Sequence, residues 1–239
     1  MHIPPRAVRV LAVAALPLAL AACGSTKSTS ATATASPSHT KDPNAGLLTG
    51  AQLKQALAPA SFFATGFAVD PSAARDTGDT FTPPSTAPAA KPDCTKLNGT
   101  AWIGITGVTG VSFAQNDYVN KNTSEDIGQE IDAYRGTTAA SVMKDVAKAA
   151  TSCTGFTDSQ THSKVKVAGQ ATPGLGDEAY TITLTDPSWE NGTTLVAARV
   201  GTNVVSVIST DGHDNGAATA KKLTERIVAS LKKTPAKTS

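Results

Sequence analysis

The chain has 239 residues, of which 40% are hydrophobic, 5% aromatic and 17% charged. Its 21 Lys and Arg stand against 19 Asp and Glu without forming a clustered basic face, which excludes a nucleic-acid partner on electrostatic grounds. Its four His, at positions 2, 39, 162 and 213, are too few and too scattered for a His-based metal centre.

The first segment carries Arg6 and Arg9 and no acid, and residues 10–22 are all apolar. That is a charged start followed by a signal-length hydrophobic run, too short for the roughly 20 residues a membrane-spanning helix needs. The run ends in Leu20-Ala21-Ala22-Cys23-Gly24, which resembles the bacterial lipobox. The resemblance implies that 1–22 are removed, and that Cys23 is acylated and becomes the first residue of the mature chain. Lipid chains on Cys23 would hold the protein at the cell membrane, on its extracytoplasmic face. The alternative is an ordinary export signal with a cysteine near its end by chance. Loss of Arg6 and Arg9 leaves 19 basic and 19 acidic residues, so the excess positive charge belongs to the leader.

Residues 23–46 are rich in Ser, Thr, Ala, Pro, Lys and Asp and lack the apolar side chains needed to offset ordering entropy. They predict a flexible tether, followed by one domain over 47–234 and a disordered tail over 235–239. Thr49 is positioned to cap a short helix that stops before Pro59. A strand is expected near Phe67-Ala68-Val69. The proline-rich stretch 76–92 reads as a long loop within the domain. Strands are expected over 101–106, 110–119 and 126–134. In the last, Ile127, Gln129, Ile131 and Ala133 alternate with Gly128, Glu130 and Asp132. A helix capped by Thr137 or Thr138 runs to Ser152, with Ala139, Val142, Met143, Val146 and Ala150 on its apolar stripe.

The second half predicts a strand around Val165 and Val167, then another in which Tyr180, Ile182 and Leu184 alternate with threonines. Two β-branched runs, 195–201 and 203–210, form a hairpin about Gly201-Thr202. The final helix, 215–232, has Ala220, Leu223, Ile227 and Leu231 as its buried stripe. The Lys221-Lys222 and Lys232-Lys233 pairs are its solvated face and C-terminal charge. The fold class is therefore α+β, with a mostly antiparallel sheet and helices packed on one face.

With Cys23 set aside, Cys94 and Cys153 remain, and in an oxidising compartment a lone pair forms a disulfide. The alternative is two free thiols. Asp211-Gly212-His213-Asp214-Asn215-Gly216 imitates an EF-hand start, but His213 occupies a ligand position and Lys222 stands where the bidentate Glu belongs. No nucleophile elbow, phosphate loop or dinucleotide fingerprint is present. The chain is therefore read as non-enzymatic, with no catalytic residue, cofactor or metal. With so few aromatics, Trp102 and Trp189 are the candidates for a ligand groove, followed by Tyr118, Tyr134 and Arg199. Trp102, on an expected strand, is more often a core residue than a ligand contact.

Several segments carry a family resemblance: Leu48-Thr49-Gly50-Ala51-Gln52-Leu53-Lys54, Ser112-Phe113-Ala114-Gln115-Asn116-Asp117-Tyr118, the strand-to-helix unit ending at Ser152-Cys153, Gly174-Leu175-Gly176-Asp177-Glu178-Ala179, and 197–205. From Leu47 to about Ser230 the chain resembles a family of actinobacterial envelope lipoproteins and, more distantly, the extracellular sensor domain of the mycobacterial kinase PknH. The resemblance implies an antiparallel sheet with flanking helices and a cleft for an extracellular small-molecule or envelope ligand. The kinase sensor domains carry two disulfides where this chain has cysteines for one. The alternative is a protein-interaction module that docks another envelope protein.

Overall fold

The computed structural model describes residues 41–85, 92–159 and 161–236. The expected leader, Cys23, the tether up to residue 40 and the last three residues of the tail lie outside the described residues.

Helix α1 (Gly50–Ala56) opens with a reciprocal capping box: Thr49 Oγ1 accepts from Gln52 N, and Thr49 N donates to Gln52 Oε1. The strands follow as β1 (Phe67–Asp76), β2 (Ser112–Asn120), β3 (Asp126–Ala133), β4 (Gly155–Thr157), β5 (Lys164–Ala171), β6 (Glu178–Thr185), β7 (Thr193–Val200) and β8 (Asn203–Ser209). They form one sheet in the order β1-β2-β3-β8-β7-β6-β5-β4, with every neighbouring pair antiparallel. Helix α2 is Ile103–Thr106, α3 is Thr138–Ser152 and α4 is Ala217–Leu231. The α+β class and antiparallel sheet are as expected.

The helices do not share one face. Along β7, Leu195 and Ala197 join the core under α2 and α3, whereas Val196 and Ala198 join the core under α1 and α4. On β8, Val204 faces α3's side, and Val205 and Val207 face α4's side. The expectation of a one-sided sheet is corrected. The central strands are apolar on consecutive residues because both their faces are buried, a pattern a sheet with one wet face does not show. The α4 side holds fully buried Leu53, Ile131, Leu223 and Ile227, each worth roughly 1.5–3 kcal/mol of burial.

Within 101–106, expected as a strand, Ile103–Thr106 form a helix instead. Trp102 and Ile105 are buried while Ile103 is 45% exposed, which is a spacing of three rather than two. Gly107 closes this helix in the left-handed conformation at φ +70°. Cys94 and Cys153 are disulfide-bonded, with Cα atoms 5.7 Å apart. The bond ties the 3-10 turn Cys94–Lys96 to the C-terminal end of α3. Close contact between α3 and β5 depends on Gly169, where a Cβ would collide with the Ala150 carbonyl.

Order begins ahead of residue 47. Residues 42–46 of the expected tether form a hydrogen-bonded turn, and Arg135 Nε donates to Asn44 Oδ1 at 2.9 Å. In the expected tail, Pro235 O accepts from Gln52 Nε2. At the rims of the sheet, β1 contains Pro71 and a register shift between Asp70 and Arg75, and β4 has three residues. Among the described residues, no helix is long and apolar enough to cross a membrane.

Candidate functional site

On α3's side of the sheet, a cleft of about 470 Å³ opens over β2 and β3. This lies within the size range of small-molecule sites. Its floor follows from strand register. Arg75 on β1 is opposite Gln115 on β2, Gln115 is opposite Glu130 on β3, and Glu130 is opposite Ser206 on β8. Two residues further along β3, Asp132 is opposite Phe113. The α2 segment and Pro83 supply the opposing wall, with Trp102, Ile103 and Val108 lining it.

The wall is fixed to the floor. Trp102 Nε1 donates to Ser206 Oγ at 2.7 Å, and Thr100 Oγ1 donates to Glu130 Oε2 at 2.6 Å. The disulfide at Cys94 secures the start of the same segment. At the rim, exposed Arg75 donates through Nη2 to Gln115 Oε1 at 2.8 Å.

The floor is chemically unusual. Glu130 is 6% exposed and Asp132 8%, and they stand two residues apart on β3, on the same face of the sheet. Two buried carboxyls this near one another disfavour ionising together, which favours keeping a proton on the pair. Burial pushes the Glu130 carboxyl up, opposed by the hydrogen bond from Thr100. Burial pushes Asp132 well above the carboxylate range, and the neighbouring Glu130 charge adds to this. Tyr134, which lines the cleft and is 2% exposed, is also pushed up, first by burial and then by the charges of Asp132 and Glu130. Its hydroxyl makes no hydrogen bond among the described residues. Along the same face, Asp117 and Asp126 are raised chiefly by burial. Among the described residues, the lining includes no His, Cys or Lys.

The five aromatic and arginine candidates from the sequence are not brought together. Trp102 and Tyr134 line this cleft, although Trp102 sits at the start of a helix rather than on a strand. Tyr118 lies on the opposite face, stacked on Phe63 with ring centroids 3.8 Å apart. Trp189 lines a separate recess of about 220 Å³ with Asp126, Phe156 and Thr210. Along β3 the nearest lining residues of the two hollows, Asp126 and Glu130, are four residues apart, about 13 Å. Arg199 is occupied at the β6–β7 end, where it donates to Glu178 at 2.6 Å, to Asp177 at 3.0 Å and to the Gly201 carbonyl.

Glu130, Asp132, Gln115, Phe113 and Arg75 were not singled out from the sequence. A usable signal was present: β3 follows apolar alternation while placing two acids on its other side, and the strand it pairs with is apolar on both faces. Acids in that position are covered, not wet. Among the described residues, no group of three or more His, Cys, Asp or Glu is placed to hold a metal ion.

No protein-family model matches the chain, and no curated protein sequence matches it.

Proposed function

We propose that this chain is an envelope lipoprotein, acylated at Cys23, whose globular domain binds a small amphipathic molecule without chemically changing it. The observation that carries the reading is the 470 Å³ cleft, which has an apolar wall at Trp102, Ile103 and Val108 and a buried polar floor at Glu130 and Asp132. An amphipathic guest matches that division: its apolar body sheds water against the wall, and its polar group meets otherwise costly buried acids. The Cys94–Cys153 disulfide is in keeping with an oxidising location, and the lipobox-like Leu20–Gly24 supplies the anchoring expectation.

Native mass spectrometry of full-length protein purified from its own host tests both parts. The expected mass begins at a diacylated Cys23, with a small molecule retained that is lost on Trp102→Ala substitution. A water-filled cleft in protein purified under gentle conditions, together with an unlipidated N-terminus, would reject the proposal.

A further inference from the structure

The proposed binding role leaves open what sort of polar group the cleft floor receives. We infer that the cleft accepts an organic ammonium ion, a primary amine carried on an apolar or aromatic body, with the amine seated on Glu130 and Asp132. This inference rests on the cleft being a ligand site and adds the charge class of the ligand.

Three observations carry it. First, the two carboxyl groups form the floor of a cavity, both more than nine-tenths buried, and neither has a cation bonded to it among the described residues. Second, Tyr134, 2% exposed, lines the same cavity, and its phenol oxygen is a further acceptor on that side of the sheet. A three-donor ammonium fits this set: two carboxylates and one phenol oxygen, all acceptors. Third, the rings of Trp102, Phe113 and Tyr134 line one cavity with the two acids, and aromatic surroundings favour cations over anions.

The charges that face this floor agree in sign. Asp117 on β2 and Asp126 on β3 share its face, and Asp70 on β1 is opposite Asp117. The facing residues of β8, Val204 and Ser206, and the whole of α2 are uncharged. Arg75 is the one described cation lining the cleft, and it is exposed at the rim with its guanidinium bonded to Gln115, where solvent and salt screen it. The buried acids outnumber that single screened cation, and their field draws in a positive ion.

Seating the amine has a stoichiometric consequence. Two neighbouring carboxyls, both raised by burial, favour keeping a proton on the empty pair. An ammonium that donates to both replaces that proton, which leaves for solvent, and the pair becomes two carboxylates. Binding therefore releases up to one proton and weakens as the pH falls.

The test uses the full-length chain and three probes that share a phenethyl body: phenethylamine, 2-phenylethanol and 3-phenylpropionate. Isothermal titration calorimetry at pH 7, in phosphate and in HEPES, reads affinity and proton release together. The expected result is phenethylamine binding at least about tenfold tighter than 2-phenylethanol, with 3-phenylpropionate weakest. Proton release approaches one per amine, and amine affinity drops by about a hundredfold between pH 7 and pH 5. Glu130→Gln and Asp132→Asn each abolish the preference for the amine while keeping a cooperative melting transition. Should either variant fail to fold, the buffer-dependent proton release of the unsubstituted chain decides alone. Equal or tighter binding of the alcohol or the acid overturns the ammonium assignment and leaves the cleft as a ligand site. Silence from all three probes at millimolar concentration overturns the assignment as well, and with an empty native mass spectrum it removes the ligand site too.

Discussion

The indole of Trp102 and the hydroxyl of Ser206, 104 positions apart in sequence, are joined by a 2.7 Å hydrogen bond inside the protein. Trp102 belongs to the segment that walls the cleft, and Ser206 belongs to β8, the strand beside the cleft floor. This bond fixes the distance between wall and floor, so it is the natural place to perturb one without the other.

Trp102→Phe removes the donor and leaves Ser206 buried without it. Stability falls by about 1–3 kcal/mol, and a Trp102→Phe/Ser206→Ala cycle returns a coupling of about 1 kcal/mol. Urea unfolding of the four proteins measures it. Purely additive losses would mean that the bond contributes nothing.

The paired acids make stability depend on pH in an unusual direction. Burial raises the folded-state pKa of Glu130 and Asp132, so the native state holds protons that the unfolded chain releases. Their stabilising contribution is complete below the unfolded carboxyl range, about pH 4. It is lost as pH climbs through the raised folded values. Asp117 and Asp126 act in the same sense. Asp132→Asn, which keeps the shape and removes the charge, raises the urea midpoint at pH 8 more than at pH 5. Equal midpoint changes at both values would show that the carboxyl titrates as it does in water.

Reduction of Cys94–Cys153 frees the start of the cleft wall. The closed loop spans 60 residues, with a sequence separation of 59, and the chain-entropy account assigns such a bridge about 4 kcal/mol. The Cys94→Ala/Cys153→Ala protein loses that amount in urea unfolding. It also exposes Trp102, which a red-shifted emission spectrum would report. An unshifted spectrum would place the wall under the control of Trp102–Ser206 instead.

Gly169→Ala forces α3 away from β5, because the added methyl meets the Ala150 carbonyl and not a movable side chain. The expected loss is about 1–3 kcal/mol. Thermal melting compares it with Gly136→Ala, where the space is open but φ is +55° and the cost of about 1–2 kcal/mol is conformational.

Much of the frame could be read directly from the residues. Thr49 and Gln52 announce α1, the i, i+3, i+4 stripe from Ala139 to Ala150 announces α3, and Gly201-Thr202 between β-branched runs announces the β7–β8 hairpin. The placement of helices on both sheet faces was missed because apolar neighbours such as Leu195 and Val196 register as strand propensity before they register as two-sided burial. Residues 101–106 misled for a related reason: Trp102, Ile103 and Ile105 are all β-formers, and only tertiary packing on α3 selects the helical spacing. Half of the cleft was legible, through Trp102 and Tyr134, because large aromatics are conspicuous in a chain with few. Glu130 and Asp132 were not, because their burial depends on strand pairings from opposite ends of the chain.

The two rims of the sheet carry a last implication. A proline with a broken register at one rim, and a strand of three residues at the other, give a neighbouring molecule no long straight ladder to extend. A long straight exposed edge would otherwise risk strand-by-strand polymerisation. Here the geometry of the borders itself discourages fibril growth.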